Sequence, residues 1–325
     1  MLLWTLIGCG EVLSAPPTHA FPGGYGRLSE TGLYADIATK TVAPDLVAFT
    51  PTWRLWTDGA VKRRWVSLPP GATIDTSDPD RWVFPVGTRF FKEFAAPDGT
   101  LLETRLVERI AATGDPARDY WLGAFAWRDD DSDADFVPDG VPDTRSTAHD
   151  IPSADRCHTC HNGETGRILG FSEVQLAGEG DGLRLADLVA GGRLSDPPAG
   201  WSRGPVDPVR DAGIGYLHAN CGHCHNPEGS ARPDTDLDLR LRATDRDPTD
   251  AGAYRTAIGH PLFRFASDTV VGWVVPGDPD RSGLLYRMSR REPRVSMPPI
   301  GTENVDAEGV ERVRAWIASL PPDPR

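Results

Sequence analysis

Two copies of one short motif set the strongest constraint on what this chain can fold into. Each copy has two cysteines separated by two residues, and a histidine follows at once: Cys157-His158-Thr159-Cys160-His161 and Cys221-Gly222-His223-Cys224-His225. In such a C-x-x-C-H motif the two sulfurs form thioethers with the vinyl groups of a haem, and the histidine binds the iron. The sequence therefore predicts two covalently bound haem c groups, with His161 and His225 as iron ligands.

Other uses of paired cysteines explain less of the pattern. A single C-x-x-C also occurs in redox-active dithiols and as half of a zinc site. One zinc site made from all four cysteines is an alternative, but the two pairs start at residues 157 and 221, which is a long gap for a zinc ribbon. That alternative leaves both histidines without a role, so haem is the favoured cofactor.

The composition limits the classes of partner. The net charge is −13, which argues against binding to the phosphates of nucleic acid. After residue 8 no apolar run approaches the ~20 residues that span a membrane. We therefore expect a redox partner protein of unknown identity, and membrane contact only through a covalent lipid.

The first residues resemble a bacterial lipoprotein leader. Leu6-Ile7-Gly8-Cys9 follows a short apolar run, as in the lipobox, where the cysteine sulfur carries the lipid. The pattern predicts a leader and linker over 1–26, a lipid anchor at Cys9, and a location in the periplasm or outer cell envelope. No lysine or arginine precedes the apolar run, so a plain signal peptide, a start upstream of Met1 and a buried structural cysteine are the alternatives.

The second motif lies between two predicted helices. Apolar residues at helical spacing predict one helix over 207–220 that leads into Cys221, and another over 305–320 with Asp306 as its N-cap. The segments VVPGDPDRSGLLYRM and Ser296-Met297-Pro298-Pro299 lie between them. This order resembles a class I cytochrome c domain over about 205–322.

The same resemblance implies the second iron ligand of this domain. In class I cytochromes c a methionine from a loop binds the iron opposite the histidine, which implies Met297 here. Met288 is the other methionine after Met1. It lies in an amphipathic stretch with Leu284 and Leu285, where core packing is the alternative role.

The first motif has no methionine near it, because none occurs between residues 2 and 287. Its distal ligand is therefore expected to be a histidine, a residue borrowed from the other domain, or absent. His149, which precedes Cys157 by eight residues, is the candidate ligand. An ordinary loop histidine is the alternative.

The N-terminal half has a strand-like pattern and no cysteine between residues 27 and 145. Strands are predicted over 64–68, 81–86, 89–94, 101–110 and 120–127, separated by turns rich in Pro, Gly and Asp. They predict an antiparallel, sandwich-like β domain with Trp65, Trp82 and Trp127 in its core or strands. The acidic run at 129–135 resembles a calcium loop, but it lacks the expected glycine and terminal glutamate, so a solvated loop is favoured over calcium.

The predicted fold class is α+β with several domains. A β-rich domain over 27–145 precedes a first haem-binding segment over 146–204 and a mainly α, cytochrome c-like region over 205–325. The segments WRLWTDGAVKRRWVSLPPG, FPVGTRFFKEF, ETRLVERI and IPSADRCHTCHNG resemble a bacterial family of exported dihaem proteins.

These patterns indicate an exported dihaem c-type cytochrome that transfers single electrons. One alternative is a dihaem peroxidase, although its motifs lie further apart than the two motifs of this chain. The other alternative is a β domain that binds a ligand, with the haems as a redox module.

Overall fold

Antiparallel strands and short helices make up the part of the chain that the computed structural model describes, residues 24–161, 168–178, 180–198, 207–262 and 268–322. The strands are β1 (Tyr34–Asp36), β2 (Thr41–Val42), β3 (Val47–Ala48), β4 (Val61–Ser67), β5 (Arg89–Ala95), β6 (Leu101–Arg109), β7 (Tyr120–Trp127) and β8 (Ala134–Phe136). The helices are α1 (Pro116–Asp119), α2 (Ala154–His161), α3 (Glu173–Leu176), α4 (Leu185–Ala190), α5 (Pro208–Asn220), α6 (Gly252–Thr256), α7 (Gly283–Met288) and α8 (Ala307–Ser319). The mixed content agrees with the predicted α+β class.

The main sheet is an antiparallel meander of six strands in the order β3-β4-β5-β6-β7-β8. Successive strand residues point to opposite faces. Trp65 and Phe91 therefore belong to the hydrophobic core on one face, while Val66 and Phe90 belong to the core on the other. Both faces of the sheet are covered along much of their length.

Different parts of the chain cover the two faces. On one face, Leu28 and the hairpin β1-β2, through Tyr34, pack against the sheet. On the other, Phe171, Leu176 and Leu188 pack from the segment that follows the first motif. In place of a second large sheet, the small hairpin β1-β2 covers one face of the main sheet, and short helices cover the other face.

One predicted strand is wrong. Residues 81–86 form no strand, and Val83 makes only an isolated bridge with Asp75. Trp82 and Phe84 are nevertheless buried in the core. The alternation of apolar residues therefore reports burial at this place and not a strand.

The two predicted helices around the second motif are confirmed and pack against each other. The Asp207 carboxylate accepts hydrogen bonds from the backbone at the start of α5, and Asp306 does the same for α8. Gly213 of α5 contacts Trp316 of α8 so closely that a β-carbon at residue 213 would clash. Val209, an apolar residue in the first turn of α5, is 43% exposed.

Among the described residues, no helix is long and apolar enough to cross a membrane. Cys9 and most of the predicted leader over 1–26 lie outside the described residues.

Candidate cofactor site

Both C-x-x-C-H motifs line the same cavity, which has a volume of about 800 Å³. This size is within the usual range for small-molecule and cofactor sites. The predicted ligands that line it are Cys157, Cys160, His161, Cys221, Cys224, His225 and Met297. The fold thus brings together residues that lie up to 140 positions apart in the chain.

Helix α2 carries the first motif and lies against strand β7. Its start is fixed by the Ala154 N–H, which donates to the Pro138 carbonyl at 2.8 Å. The Cys157 N–H donates to the Ser153 carbonyl, so this cysteine lies within the first turns of the helix. The sheet therefore determines where the first motif faces the cavity.

The second motif forms a tight turn at the end of α5. The Cys221 N–H donates to Leu217 O at 2.8 Å, and the His225 N–H donates to Cys221 O at 2.8 Å. The His225 carbonyl in turn accepts from the Leu239 N–H at 2.9 Å. These bonds fix the backbone on both sides of the imidazole.

The two motifs are in contact. The Sγ atoms of Cys160 and Cys224 and a ring nitrogen of His223 all lie within 4.8 Å of one another. The Cys224 thiol also donates to the Thr159 carbonyl at 3.4 Å. The two motifs therefore meet at Cys160 and Cys224, the second cysteine of each motif.

His225 has the protonation state that an iron ligand needs. Burial lowers its pKa to about 4, so the imidazole is neutral at neutral pH. Neutral imidazole is the form that binds metals. Its Nδ1 is buried and has no hydrogen-bond partner in the described part of the chain. The residues present therefore fit the predicted haem.

The two candidate methionines have different surroundings. Met288 is only 6% exposed and packs in the core with Leu285, although it also borders the cavity. Met297 lies outside that core on the cavity wall. Its N–H donates to Arg287 O at 3.2 Å, and its carbonyl accepts from Arg291 Nη1 at 3.2 Å. Backbone contacts thus hold Met297 at the cavity.

His149 is not brought to the cavity. It is 3% exposed, its ring packs 5.0 Å from the ring of Phe94, and its Nε2 lies 2.8 Å from Glu103 Oε2. It is absent from the residues that line the cavity. The structure therefore gives this histidine a polar partner on strand β6 in place of the predicted position beside the first haem.

The acidic run at 129–135 already has partners among the described residues. Asp135 forms a two-point ion pair with Arg128, at 2.6 and 2.7 Å, and Asp131 pairs with Arg145 at 2.9 Å. The Asp133 carboxylate accepts from the hydroxyl of Ser29 at 2.6 Å. These contacts engage three of the five carboxylates of the run.

Sequence analysis missed basic residues in the cavity wall. Lys92 of β5 and Arg105 of β6 both line the cavity. A partial signal was present, because Lys92 interrupts the apolar residues Phe90, Phe91 and Phe94. Recognising it required the strand register, which a single sequence does not give.

Comparison with known proteins finds no match among family models, curated proteins or solved structures.

Proposed function

We propose that this protein is an exported dihaem c-type cytochrome that passes single electrons. The observation that carries the proposal is the shared cavity, which is lined by both C-x-x-C-H motifs and by Met297. The four motif cysteines form no disulfides, so their sulfurs are available for haem attachment. Haem, when bound, supplies an iron that takes up and releases one electron.

The chain's own residues would hold two haems as follows. Cys157 and Cys160 attach the first and Cys221 and Cys224 attach the second, through thioether bonds. His161 and His225 are the proximal ligands, and Met297 is the distal ligand of the second haem. Burial of His225 keeps its imidazole neutral.

The contact between the motifs supports electron transfer. Cys160 and Cys224, one attachment point from each motif, lie within 4.8 Å of each other. A short separation between redox groups is what single-electron exchange requires. A protein that used each haem separately would have no need to bring the two motifs together.

The region over 205–325 is proposed to be cytochrome c-like. Support comes from α5, which runs into the second motif, and from α8, which packs across α5 where Gly213 contacts Trp316. The same arrangement of a first and a last helix is typical of class I cytochromes c. Export and a lipid anchor at Cys9 belong to the proposal, because haem c is attached outside the cytoplasm.

A peroxidase-type oxidoreductase is the second candidate function. The observation that favours it is the placement of His149 on Glu103, which leaves the first motif without its predicted distal ligand. An iron with an open position is what peroxide reduction needs. Carrier and peroxidase share the same cofactors and differ in the coordination of the first iron.

The experiment that tests the cofactor is a haem count on protein matured in a host that attaches haem c. The native chain is expected to keep two haems through acid–acetone extraction. The double variant Cys157→Ser/Cys160→Ser is expected to keep one, and so is Cys221→Ser/Cys224→Ser, because each motif attaches its own haem.

The control variant is His223→Gln. His223 lies with Cys160 and Cys224 in the group that could hold a metal ion such as zinc, but it is the spacer residue of its motif. Two haems in His223→Gln support the haem assignment. A native chain that carries zinc and no covalent haem contradicts it.

A further inference from the structure

Three basic residues form a row across the middle of the main sheet. Arg64 of β4 pairs directly with Lys92 of β5, and Lys92 pairs directly with Arg105 of β6. Residues directly opposite each other on neighbouring strands point to the same face. All three side chains therefore lie on one face of the sheet. This face borders the cavity beside the first motif, because Lys92 and Arg105 line the cavity.

The row is buried. Arg64 is only 6% exposed, and Lys92 and Arg105 reach the cavity. The Lys92 ammonium lies 4.8 Å from the ring centroid of Phe94, and the Arg105 guanidinium lies 4.7 Å from the same centroid. An aromatic ring stabilises such cations, but it does not neutralise their charge.

The neighbouring carboxylate balances only one of the three cations in the row. Glu103 lies beside Arg105 and binds its guanidinium through both oxygens, from Nε to Oε1 at 2.5 Å and from Nη2 to Oε2 at 2.8 Å. The same Oε2 contacts His149 at 2.8 Å. One carboxylate is therefore shared between Arg105 and His149, whereas Arg64 and Lys92 have no ion pair among the described residues.

Unbalanced cations in this position are costly. Like charges directly opposite on neighbouring strands destabilise a sheet, and a buried charge needs a partner. Burial and the nearby guanidiniums of Arg64 and Arg105 lower the pKa of Lys92 well below its ordinary value. Burial likewise lowers the pKa of Arg64 to about 10. The row thus stays charged at little cost only when an anion occupies the adjacent cavity.

We propose that Lys92 and Arg105, backed by Arg64, bind the propionate carboxylates of the haem that the first motif carries. The inference rests on the proposed function and adds the binding site for the acidic edge of that haem. An arginine guanidinium and a lysine ammonium are the usual partners of carboxylates in buried sites. Glu103 acts as a positioning residue because it binds Arg105, and His149 in turn binds Glu103.

The row has a consequence for the redox properties of the first haem. Cations that hold the carboxylates ionised keep the local charge constant as pH changes. Loss of one cation favours the more positive, oxidised iron, so the reduction potential falls. It also lets a carboxylate take up a proton as pH decreases, which raises the potential again at low pH.

Titratable and charged groups face this site from several elements. Those around Lys92 are Lys62, Arg64, Glu103 and Arg105, with Arg54 near Arg64. The remaining cavity walls contribute the charged residues Asp139, Asp150, Arg156, Asp234 and Arg287, together with His161, His223, His225 and the four motif cysteines.

The test is a redox titration of the holoprotein followed by haem absorbance, over pH from about 4 to about 8, which spans the ordinary carboxyl range. Lys92→Met is expected to keep two haems. At a fixed potential its first haem is expected to shift about tenfold toward the oxidised form, or about 59 mV. That potential is also expected to become pH-dependent in this range, whereas the native one is flat.

Three further variants make the result specific. Lys92→Arg keeps the charge and is expected to behave as native. Lys40→Met removes a lysine whose Nζ donates to Ile37 O and Asp131 O, away from the cavity, and is expected to change nothing. Arg64→Gln is expected to repeat the effect of Lys92→Met, which keeps the test decisive if one variant folds poorly.

A free anion in the cavity is distinguished by adding sodium formate to the native holoprotein at constant ionic strength. Propionates that already occupy the row predict no change in potential, and a formate-dependent potential overturns the proposal. The proposal is also overturned if Lys92→Met and Arg64→Gln both keep two haems, the native potential and the native pH profile. In that case the proposed function still stands. A native chain without covalent haem overturns the proposed function itself.

Discussion

Two methionine side chains border the cavity, and their surroundings separate their roles. Met297→Ala is expected to abolish the weak long-wavelength absorption band that reports a sulfur–iron bond, because Met297 lies on the cavity wall outside the core. The potential of that haem is expected to fall, since methionine ligation raises it. Optical spectra and a redox titration of the holoprotein measure both effects.

Met288→Ala is the matched control. Met288 packs in the core beside Leu284 and Leu285, so its truncation is expected to lower the free energy of unfolding by about 2–5 kcal/mol. The absorption band is expected to stay. Loss of the band in Met288→Ala and its retention in Met297→Ala would reverse the assignment of the ligand.

The buried contact between His149 and Glu103 leads to a second prediction. His149→Ala removes the partner of Glu103 Oε2 at 2.8 Å, and the loss of a buried hydrogen bond is expected to cost about 1–3 kcal/mol of stability. His149→Gln, whose amide can still donate, is expected to recover part of that loss. Thermal unfolding of the two holoproteins gives the comparison.

The same variants test the role predicted from sequence. If His149 binds the first iron, His149→Ala opens a coordination position, and the reduced protein gains carbon monoxide binding and a high-spin signal. We expect neither change, because the structure places this histidine away from the cavity. A new carbon monoxide complex in His149→Ala would restore the ligand assignment.

At the scale of elements, the crossing of α5 and α8 depends on small residues. Gly213 contacts Trp316, and Gly309 contacts the ring of Tyr216, with no room for a β-carbon at either glycine. Gly213→Ala is expected to destabilise the protein by about 1–3 kcal/mol through overpacking. Chemical denaturation of the holoprotein is the measurement.

Gly26→Ala is the matched control for that crossing. A β-carbon at residue 26 would meet no atom closer than 3.6 Å, so little change in stability is expected. A Gly213→Ala variant as stable as the native protein would show that α5 and α8 are not packed this closely.

Elements with strong local signals could be predicted from the sequence, and those set by distant contacts could not. The structure confirms the predicted N-cap of α8 at Asp306 and the predicted start of the helix at residue 207, where Asp207 caps α5. The prediction at 81–86 was wrong because Trp82 and Phe84 pack against Phe171, which lies far away in the chain. Burial there produced an alternating pattern without strand pairing.

The same distinction applies to the candidate site. The C-x-x-C-H residues are adjacent in sequence, so their chemistry could be read locally. The row of Arg64, Lys92 and Arg105 exists only through the register of three strands. The position of His149 likewise depends on Glu103 in β6, 46 residues away. The motif could therefore be recognised from local sequence, whereas the residues around it depend on tertiary contacts.

At the scale of the whole molecule, the β-rich and helical parts meet around one cavity. The sheet contributes Lys92 and Arg105, α2 contributes the first motif, and the turn after α5 contributes the second. Such a shared cavity suits two redox groups that exchange electrons. It also makes the coordination of the first iron the feature that separates a carrier from an enzyme.

The most direct measurement is a reductive titration of the purified holoprotein, combined with carbon monoxide addition and a peroxide reduction assay. The carrier function predicts two electrons taken up per chain, two low-spin haems with a residue other than His149 as the sixth ligand of the first iron, little binding of carbon monoxide and negligible peroxide turnover. A high-spin haem in the native protein that binds carbon monoxide and reduces peroxide with an electron donor would contradict the carrier function and establish the enzyme in its place.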